Sequence, residues 1–447
     1  MNRCLLSLLL ILSIMGCNNF FDVKPKERLL EDRVFQNAQD IRSANRGIYS
    51  LLASDYLYGG ALTMGALDVM AQYYNCGSTH LMYPLASYQY GLQYADTVFT
   101  GVWRDAYRTI LNLNNFIARL EPTEGVVDAQ EKRLLLGESY GRRAMLHFDL
   151  LRIFGPVYRA DPAGLAIPYQ SHPLPGLTPI RPANDVVDSI LSDIETCLVL
   201  MDEDPIRGGS AVVLEHNERF NYYAAMLLRA RVLLYKGDIQ QAHQAIDRLL
   251  TEAAAFFPLT DLLLPQEVVF RLAVPQMERQ YRKYFSPTQT PEAILSPRND
   301  QLRQIFMQQL TDVRWARYWR KAANVQQVEI DVFEKYAPPE MQMPVMRISE
   351  AWLIRAECEP DASVAEAYLN RVVGGRNQEI PDGSTVPFDE RLYQEYRKEF
   401  WGEGQLFYFL KRKGIASIAD GSAETGMLIM NESTYRVPIP ANELIYR

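Results

Sequence analysis

The feature that most constrains what this chain can fold into is its helical spacing of small and apolar residues. Between positions 221 and 250, Ala225, Leu228, Val232 and Tyr235 recur at intervals of three and four, which places them on one face of a helix. A second helix with the same pattern follows after a short break. Because small residues on facing surfaces let two helices approach closely, the segment predicts a helical hairpin of the tetratricopeptide type.

The break between these helices carries stop and start signals. Gly237 can adopt the left-handed conformation that ends helices, and Asp238 can cap the next helix. A second hairpin is predicted between Pro344 and Val373, where Pro360 interrupts the helical pattern. The two hairpins are far apart in the chain, so the sequence predicts a long insertion between them and not a simple tandem array. Matching stripes lie at Ala242, Ala245, Ile246 and Leu249 and at Ala365, Tyr368, Leu369 and Val372.

Other segments show helical periodicity, and two long segments between them do not. The further helices are predicted at about 36–52, 97–120, 129–154, 182–201 and 388–401. The irregular segments, near 55–95 and 256–320, are rich in aromatic residues, glycine and proline. We therefore expect an all-α fold with little β structure, in which a tetratricopeptide-like scaffold carries two long irregular insertions. Long irregular segments in a compact domain tend to be functional, so these two are candidates for a binding site.

The N-terminus has the features of a lipoprotein signal. Arg3 supplies a positive charge, and the apolar run Leu5–Met15 is too short to span a bilayer. A glycine precedes Cys17, and the pair resembles a bacterial lipobox, in which the chain is cut before a cysteine that is then acylated. The sequence predicts a signal peptide at residues 1–16 and a lipid on Cys17 that anchors residues 17–447 to a membrane. The alternative is an ordinary secretory signal with an incidental cysteine.

The rest of the chain is expected to form one domain. It comprises an N-terminal tether at 17–35, the scaffold with its insertions, and C-terminal helices at 340–447. Later apolar stretches are interrupted by charged residues such as Arg229 and Arg231, so no further segment predicts a membrane span.

Charge and cysteine content disfavour two classes of protein. The formal net charge is −8, which argues against nucleic-acid binding because phosphate contacts need clustered lysine and arginine. Beyond the N-terminal region the cysteines are Cys76, Cys197 and Cys358, an odd number without CxxC spacing. We expect buried thiols and no disulfide framework, although the chain is predicted to be exported.

Six segments, in order along the chain, carry a family resemblance. They are CNNFFDVKPKERL, VWRDAYRTILNLNNFI, RRAMLHFDLLRIFGPV, MRISEAWLIRAEC, EFWGEGQLFYFLKRKG and YRVPIPANEL. Each alone is a weak match. Together and in this order they resemble the SusD/RagB family, the surface lipoproteins of Bacteroidetes nutrient-uptake systems.

The resemblance implies a fold, a role and partners. The family fold is all-α, with four tetratricopeptide-like hairpins that support ligand-holding loops. Its members cap a SusC-like TonB-dependent barrel in the outer membrane, opening and closing like a lid to deliver cargo. The resemblance thus implies a surface-exposed protein anchored to the outer membrane by a palmitate-type lipid on Cys17. Its cargo would be an oligosaccharide or, as in some members, a peptide, and it would need no cofactor.

One segment departs from the family pattern. In EFWGEGQLFYFLKRKG the family usually has an arginine and, three residues on, an aspartate, whereas this chain has Leu406 and Phe409. Residues three apart on a helix touch, so we expect an apolar pair in place of an ion pair.

Aromatic residues give the positive signal for binding. Eight of the 26 tyrosines lie between positions 56 and 94, and a second aromatic group lies between 281 and 319 with arginines interleaved. Aromatic faces suit sugar rings, but they equally suit peptides, protein interfaces and a core. In VRWARYWR an amphipathic helix is expected, with its tryptophans and tyrosine on one face and its arginines available to an anionic cargo or to the barrel. The residues predicted to contact cargo are Tyr73, Tyr74, Asn75, Tyr83, Tyr88, Tyr284, Arg314, Trp315, Tyr318 and Trp319.

Catalytic motifs are missing from the sequence. The five histidines form neither an HExxH motif nor a close pair, and His147 is predicted to be structural. No G-x-S-x-G, P-loop or G-x-G-x-x-G pattern occurs. We therefore predict a binding protein without catalytic residues, metal or cofactor. The alternatives are a surface glycosidase, since carboxylates are abundant, and a structural or adhesive surface protein that binds partners through its helical face.

Overall fold

The computed structural model describes residues 34–173, 177–209, 216–259, 265–306, 311–378 and 385–445. The predicted signal peptide, Cys17 and nearly all of the predicted tether lie outside the described residues. The helices are, in chain order, α1 (Ala38–Leu52), α2 (Ala66–Met70), α3 (Tyr83–Ala86), α4 (Gln93–Leu120), α5 (Ala129–Phe154), α6 (Ala183–Leu200), α7 (Tyr222–Lys236), α8 (Ile239–Ala253), α9 (Met277–Tyr284), α10 (Asn299–Ile305), α11 (Val313–Tyr318), α12 (Ile348–Cys358), α13 (Ala362–Gly374), α14 (Phe388–Glu399), α15 (Gln405–Lys413), α16 (Glu432–Tyr435) and α17 (Ala441–Ile445).

Within the described residues, the strands form four two-stranded antiparallel sheets. They are β1 (Leu165–Pro168) with β2 (Ile180–Pro182), β3 (Val268–Ala273) with β6 (Gln342–Arg347), β4 (Trp319–Ala323) with β5 (Glu329–Phe333), and β7 (Ser417–Ala419) with β8 (Met427–Ile429). The predicted all-α fold with little β structure is confirmed.

Eight helices pack side by side as four pairs, which are α1 with α4, α5 with α6, α7 with α8, and α12 with α13. Adjacent pairs also touch, through α4 and α5, α6 and α7, and α8 and α12. Because α8 packs directly on α12, the chain between them loops out without interrupting the array. The two hairpins recognised in the sequence are therefore spatial neighbours, separated only along the chain.

The α7–α8 hairpin shows how the sequence encodes this packing. Gly237 ends α7 with a φ of +84°, and Asp238 accepts a hydrogen bond from the Gln241 amide over 3.1 Å to start α8. The predicted stripes of both helices are buried. Helix α7 is buried around nearly its whole circumference because α6 and α8 cover opposite sides. Its buried Arg231 forms an ion pair with Glu350 of α12, which links α7 to the second hairpin.

The first irregular segment contributes to the core more than a surface loop does. Every residue from 57 to 74 is buried. The Asp68 carboxylate accepts backbone hydrogen bonds from Gly402 over 2.6 Å and from Gly404 over 3.0 Å. These bonds tie the segment to the C-terminal third of the chain.

A buried cluster of charges holds the C-terminal third together. Its cations are Arg314, Lys335, Arg347, Arg376 and Lys398, and its anions are Glu267, Asp312, Glu395, Glu399 and Glu403. Glu399 is at its centre, 2.8 Å from the Arg314 guanidinium and 2.6 Å from that of Arg376. Burial opposes ionisation of Glu399, but the guanidinium groups of Arg376 and Arg347 outweigh it and hold the pKa of that carboxyl well below its usual value. We call these ten side chains the buried charge cluster.

Two further sequence expectations can be compared with the structure. Leu406 and Phe409 are both buried in α15, where Phe409 stacks on Tyr396 with 4.3 Å between ring centroids, so the departure from the family pattern is an apolar core contact. Cys76, Cys197 and Cys358 are free and buried, as predicted.

Among the helices that the structure describes, none combines the length and apolar content needed to cross a membrane.

Candidate ligand-binding cleft

The two irregular segments meet at an open cleft of about 480 Å³ beside the N-terminal end of α4. Its aromatic residues come from three places in the chain: Tyr56 after α1, Tyr94 on the first turn of α4, and Tyr284 at the end of α9. The other lining residues are Asp55, Ala61, Ala66, Leu81, Met82, Leu85, Gln93, Thr97, Val98 and Lys283. We call this site the tyrosine cleft.

Tyr56 is seated by a glycine in the helix beneath it. A Cβ atom on Gly101 of α4 would overlap the Tyr56 ring, so the ring lies directly against the helix backbone. The Arg104 guanidinium, one turn further along α4, lies 5.3 Å from the centroid of the same ring. Helix α4 therefore sets the position of Tyr56 although the two are distant in sequence.

Tyr284 is seated in the same way on the turn that follows α1. A Cβ atom on Gly65 would lie 3.0 Å from Tyr284 Oη, and one on Gly60 would lie 3.5 Å from it. The Lys283 ammonium donates a hydrogen bond to that hydroxyl over 3.2 Å. Burial raises the pKa of Tyr284, so its hydroxyl stays protonated at physiological pH.

Tyr94, on the first turn of α4, is half-buried. Burial, followed by the nearby Tyr284 hydroxyl, raises the pKa of Tyr94 to about 12. The tyrosine cleft therefore presents neutral phenol groups, which both donate and accept hydrogen bonds, next to aromatic faces. That combination suits a sugar, whose ring packs on an aromatic face while its hydroxyls bond to polar groups.

Charge at the tyrosine cleft is unevenly distributed. Asp55 is held by Arg279, whose Nη2 lies 2.7 and 2.9 Å from the two carboxylate oxygens. Lys283 is exposed and its ammonium lies 4.7 Å from the centroid of the Tyr284 ring. The rim therefore has a cation positioned to meet an acidic group on a ligand.

A second open cleft of about 420 Å³ lies on the helical array beside α6, α7 and α8. It contains a single aromatic residue, Tyr222, and its charged groups are engaged with one another: Arg229 with Glu195 at 2.8 Å, and Arg248 with Glu252 at 2.8 Å. It lacks the converging aromatic faces of the tyrosine cleft.

Comparison with known proteins finds a family match over the N-terminal half of the chain. Residues 19–234 match the SusD-like_3 family model, described as "Starch-binding associating with outer membrane". The SusD-like protein P25 of Formosa agariphila is 22% identical over 250 residues, which span 52% of this chain and 42% of that protein, less than half of its length. The N-terminal half of the chain therefore matches the SusD-like family.

Solved structures share its fold. A SusD superfamily protein from Bacteroides thetaiotaomicron superimposes with a TM-score of 0.73 at 20% identity, over 92% of this chain and 98% of that one. The surface glycan-binding protein A of the same species gives a TM-score of 0.70 at 16% identity, with 92% and 98% covered. The helical array with looped-out segments is thus the SusD-like fold.

The predicted site residues of this SusD-like chain fall into three groups. Tyr284 alone among them lines the tyrosine cleft. Asn75, Tyr83 and Tyr88 lie on the same irregular segment outside the cleft lining; Asn75 is exposed and the two tyrosines are half-buried. Tyr88 has a φ of +56° and donates a hydrogen bond to the Met70 carbonyl over 2.7 Å, which gives it a local structural role.

The remaining predicted residues lie in or against the core. Tyr73, Tyr74 and Arg314 are buried, and Arg314 belongs to the buried charge cluster. The expected amphipathic helix in VRWARYWR is wrong in extent, because α11 ends at Tyr318 and Trp319 begins β4. Tertiary packing explains the break: Trp319 pairs with Phe333 across the sheet and its ring lies 5.0 Å from the Phe333 ring.

Trp315 and Tyr318 are half-buried on the core side of this helix. Trp315 lies 5.5 Å from the Phe306 ring and Tyr318 lies 6.1 Å from the Phe333 ring, both in edge-on contacts. The aromatic group between 281 and 319 therefore divides: its first part reaches the tyrosine cleft and its second part packs inside.

The sequence alone did not identify the other two tyrosines that line the cleft with Tyr284. Tyr56 and Tyr94 were visible as members of the tyrosine-rich segment, but nothing in the sequence separated them from the buried Tyr73 and Tyr74. The glycines under the rings were a weaker signal still, since Gly101 lies within an otherwise regular helix.

One of the five histidines, His147, makes structural contacts. His147 is buried, and burial together with the neighbouring Arg143 lowers the pKa of His147 to about 3. Its Nε2 accepts a hydrogen bond from the Gln170 amide over 3.0 Å, a structural role as predicted. No group of three or more metal-ligating side chains occurs within the ranges that the structure describes.

Proposed function

We propose that this SusD-like protein captures an oligosaccharide at the outer-membrane surface and acts as the lid of a SusC-like TonB-dependent importer, without catalysing a reaction. The observation that carries the proposal is the tyrosine cleft, where Tyr56, Tyr94 and Tyr284 converge around a space of about 480 Å³. That volume falls within the usual range for ligand sites. The description of the matching family, starch-binding and outer-membrane associated, supports the glycan-binding part of the proposal.

The chemistry of the cleft favours a glycan over a peptide. Neutral tyrosine hydroxyls beside aromatic faces match the alternating C–H and O–H surfaces of a sugar. No strand residue lines the cleft, so an extended peptide could not bind there by adding to a sheet edge, which is one common mode of peptide recognition. Since cargo must be released into the barrel, we expect moderate affinity, about micromolar or weaker, which corresponds to about 8 kcal/mol.

Anchoring follows from the N-terminal sequence. A lipid on Cys17 would hold the domain at the membrane surface, while residues after it form the tether to the described part at Val34. Together with a barrel partner, this arrangement would allow the domain to swing over the pore and back.

The glycan part of the proposal is tested by binding. Purified protein is titrated with oligosaccharides of defined linkage, followed by calorimetry, and the bound fraction is examined for newly formed reducing ends. Saturable binding without cleavage supports capture. Released products would instead favour a surface glycosidase.

The transport part is tested by mild detergent extraction of the acylated protein from native membranes and mass spectrometry of what accompanies it. A stoichiometric TonB-dependent barrel supports the lid role, and a peptide carried along would change the cargo class. An acylated protein that emerges alone would contradict the lid role and favour a surface adhesion protein.

A further inference from the structure

A second apolar feature lies at the other end of α4, far from the tyrosine cleft. A groove of about 350 Å³ runs between α1 and the C-terminal half of α4. Tyr94 and Phe116 are 22 residues apart on this helix, so the two sites are separated by about 33 Å. The groove is lined by Val34, Phe35, Ala44, Gly47, Ile48, Leu51, Asn112, Asn115, Phe116 and Arg119.

The floor of this groove contains a glycine that the described residues do not explain. Gly47 lies in the middle of α1, and no atom lies within 4 Å of where its Cβ would stand. Glycine is the least favourable helix residue after proline, and its missing side chain leaves room for a close neighbour. Gly101 and Gly65 have such neighbours in the seated tyrosines, whereas Gly47 faces open space. The groove therefore has room for another segment on top of Gly47.

The chain itself enters the groove. The described part begins at Val34, which lines it, and the next residue, Phe35, already packs on Phe116 with 5.7 Å between ring centroids. The residues just before Val34 read RLLEDR, with the apolar pair Leu29 and Leu30 in a polar setting. An apolar pair this close to an apolar groove is held there at high effective concentration, which favours it over a second copy of the chain.

The segment before Val34 is long enough to reach Gly47. Gly47 lies nine residues beyond Ala38, about 14 Å along the axis of α1. Leu29 precedes Val34 by five residues, and five extended residues span up to about 17 Å. A segment running back along α1 from Val34 would therefore place Leu29 near Gly47.

We propose that Leu29 and Leu30 dock in the groove between α1 and α4, with Gly47 as the contact that lets the backbone approach. Docking would leave residues 17–28 as the only free tether, with a maximum reach of about 40 Å, where an undocked tether to Val34 would reach about 60 Å. The docking rests on the groove alone, and only its consequence for a membrane-anchored lid rests on the proposed function.

The decisive experiment is a cross-link in the full chain as produced and processed in cells. The double variant Leu29→Cys with Gly47→Cys is compared with Leu29→Cys with Gly91→Cys. Gly91 also has open space at its Cβ, but it lies just before the N-terminal end of α4, about 37 Å from the groove. The three buried native thiols are not expected to compete.

We expect a rapid intramolecular disulfide in the first variant only, detected by mass spectrometry of the linked peptides. Equal cross-linking in both variants, or none in either, overturns the proposal. A disulfide that joins two chains would assign the groove to a second copy instead.

A second measurement does not depend on new thiols. Gly47→Trp fills the groove, and its Cβ meets no atom of the described residues outside α1. Trypsin cleavage after Arg28 is expected to be at least tenfold faster in Gly47→Trp than in the protein with Gly47 unchanged. Equal rates would show that residues 29 and 30 are not held there.

Discussion

Trp401 Nε1 donates a hydrogen bond to Tyr74 Oη over 3.1 Å and thereby joins the first irregular segment to the C-terminal third of the chain. Tyr73 stacks on the same indole with 4.2 Å between ring centroids. Both tyrosines are buried and neither lines the tyrosine cleft, so they act in the core.

Replacing Tyr74 is therefore expected to change stability more than binding. Tyr74→Ala should lower the free energy of unfolding by about 3–5 kcal/mol, because a large buried ring is lost. Tyr74→Phe should cost about 1–2 kcal/mol, because the Trp401 N–H is left without an acceptor. Urea denaturation measures both. A Tyr74→Ala protein with unchanged stability and lost glycan binding would place Tyr74 in the site.

Tyr94→Ala is expected to have the opposite profile. Loss of one stacking face is worth about 1.4 kcal/mol, a tenfold weaker affinity for an oligosaccharide, with little change in unfolding. Tyr83→Ala is the matched control. Tyr83, like Tyr94, is half-buried and helical, but it does not line the cleft. Calorimetric titration compares the two, and equal losses in both variants would argue against the tyrosine cleft.

Gly101→Ala tests the cleft without removing an aromatic group. The added methyl would overlap the Tyr56 ring and push it out of place, while alanine itself favours the helix. We expect affinity to fall several-fold while the protein remains folded. Gly91→Ala, where the methyl meets open space, should bind like the unmodified protein.

Lys283→Met separates acidic from neutral cargo. The exposed Lys283 ammonium beside Tyr284 should strengthen binding of an oligosaccharide that carries a carboxylate, and this gain should decline with added salt. We expect the variant to lose affinity for uronate-containing oligosaccharides and to keep it for neutral ones. Equal effects on both would show that Lys283 acts by shaping the cleft.

The buried charge cluster predicts acid sensitivity. The pKa of Glu399 is lower in the folded protein than in the unfolded chain, where glutamate titrates near about 4.3. Its stabilising contribution is therefore complete above about pH 5 and is lost as the pH falls toward the folded value. Glu399→Gln should cost about 3–5 kcal/mol at pH 7, because buried arginines lose a partner, and should show a weaker dependence on pH between about 5 and 3. Denaturation series across this range measure both effects.

The scaffold could be predicted from sequence because its signals are local. Helix α5 was expected at 129–154 and is found at Ala129–Phe154, where an aspartate caps its start and a glycine follows its end. The order in which the helices pack against one another was harder to predict. That α8 touches α12 depends on how the chain between them loops out, which no periodicity records.

The site was only partly predictable, for a different reason. Tyr74 and Tyr94 belong to the same tyrosine-rich segment, yet one lies under Trp401 and the other opens onto the cleft. Exposure of an aromatic ring in an irregular segment depends on contacts with distant residues. Trp319 shows the same limit, because its pairing with Phe333 replaced the helix that its local spacing predicts.

The buried charge cluster also constrains the order in which the chain can fold. Its arginines Arg314, Arg347 and Arg376 all precede Glu395, Glu399 and Glu403, so most of the neutralising carboxylates are made last. Until these arrive, closing the region would trap guanidinium groups away from water without partners. The helices from α1 to α8 can assemble early, whereas the looped-out segment must wait for α14. A chain shortened before residue 395 would thus retain much of its helical array and still fail to close its C-terminal third.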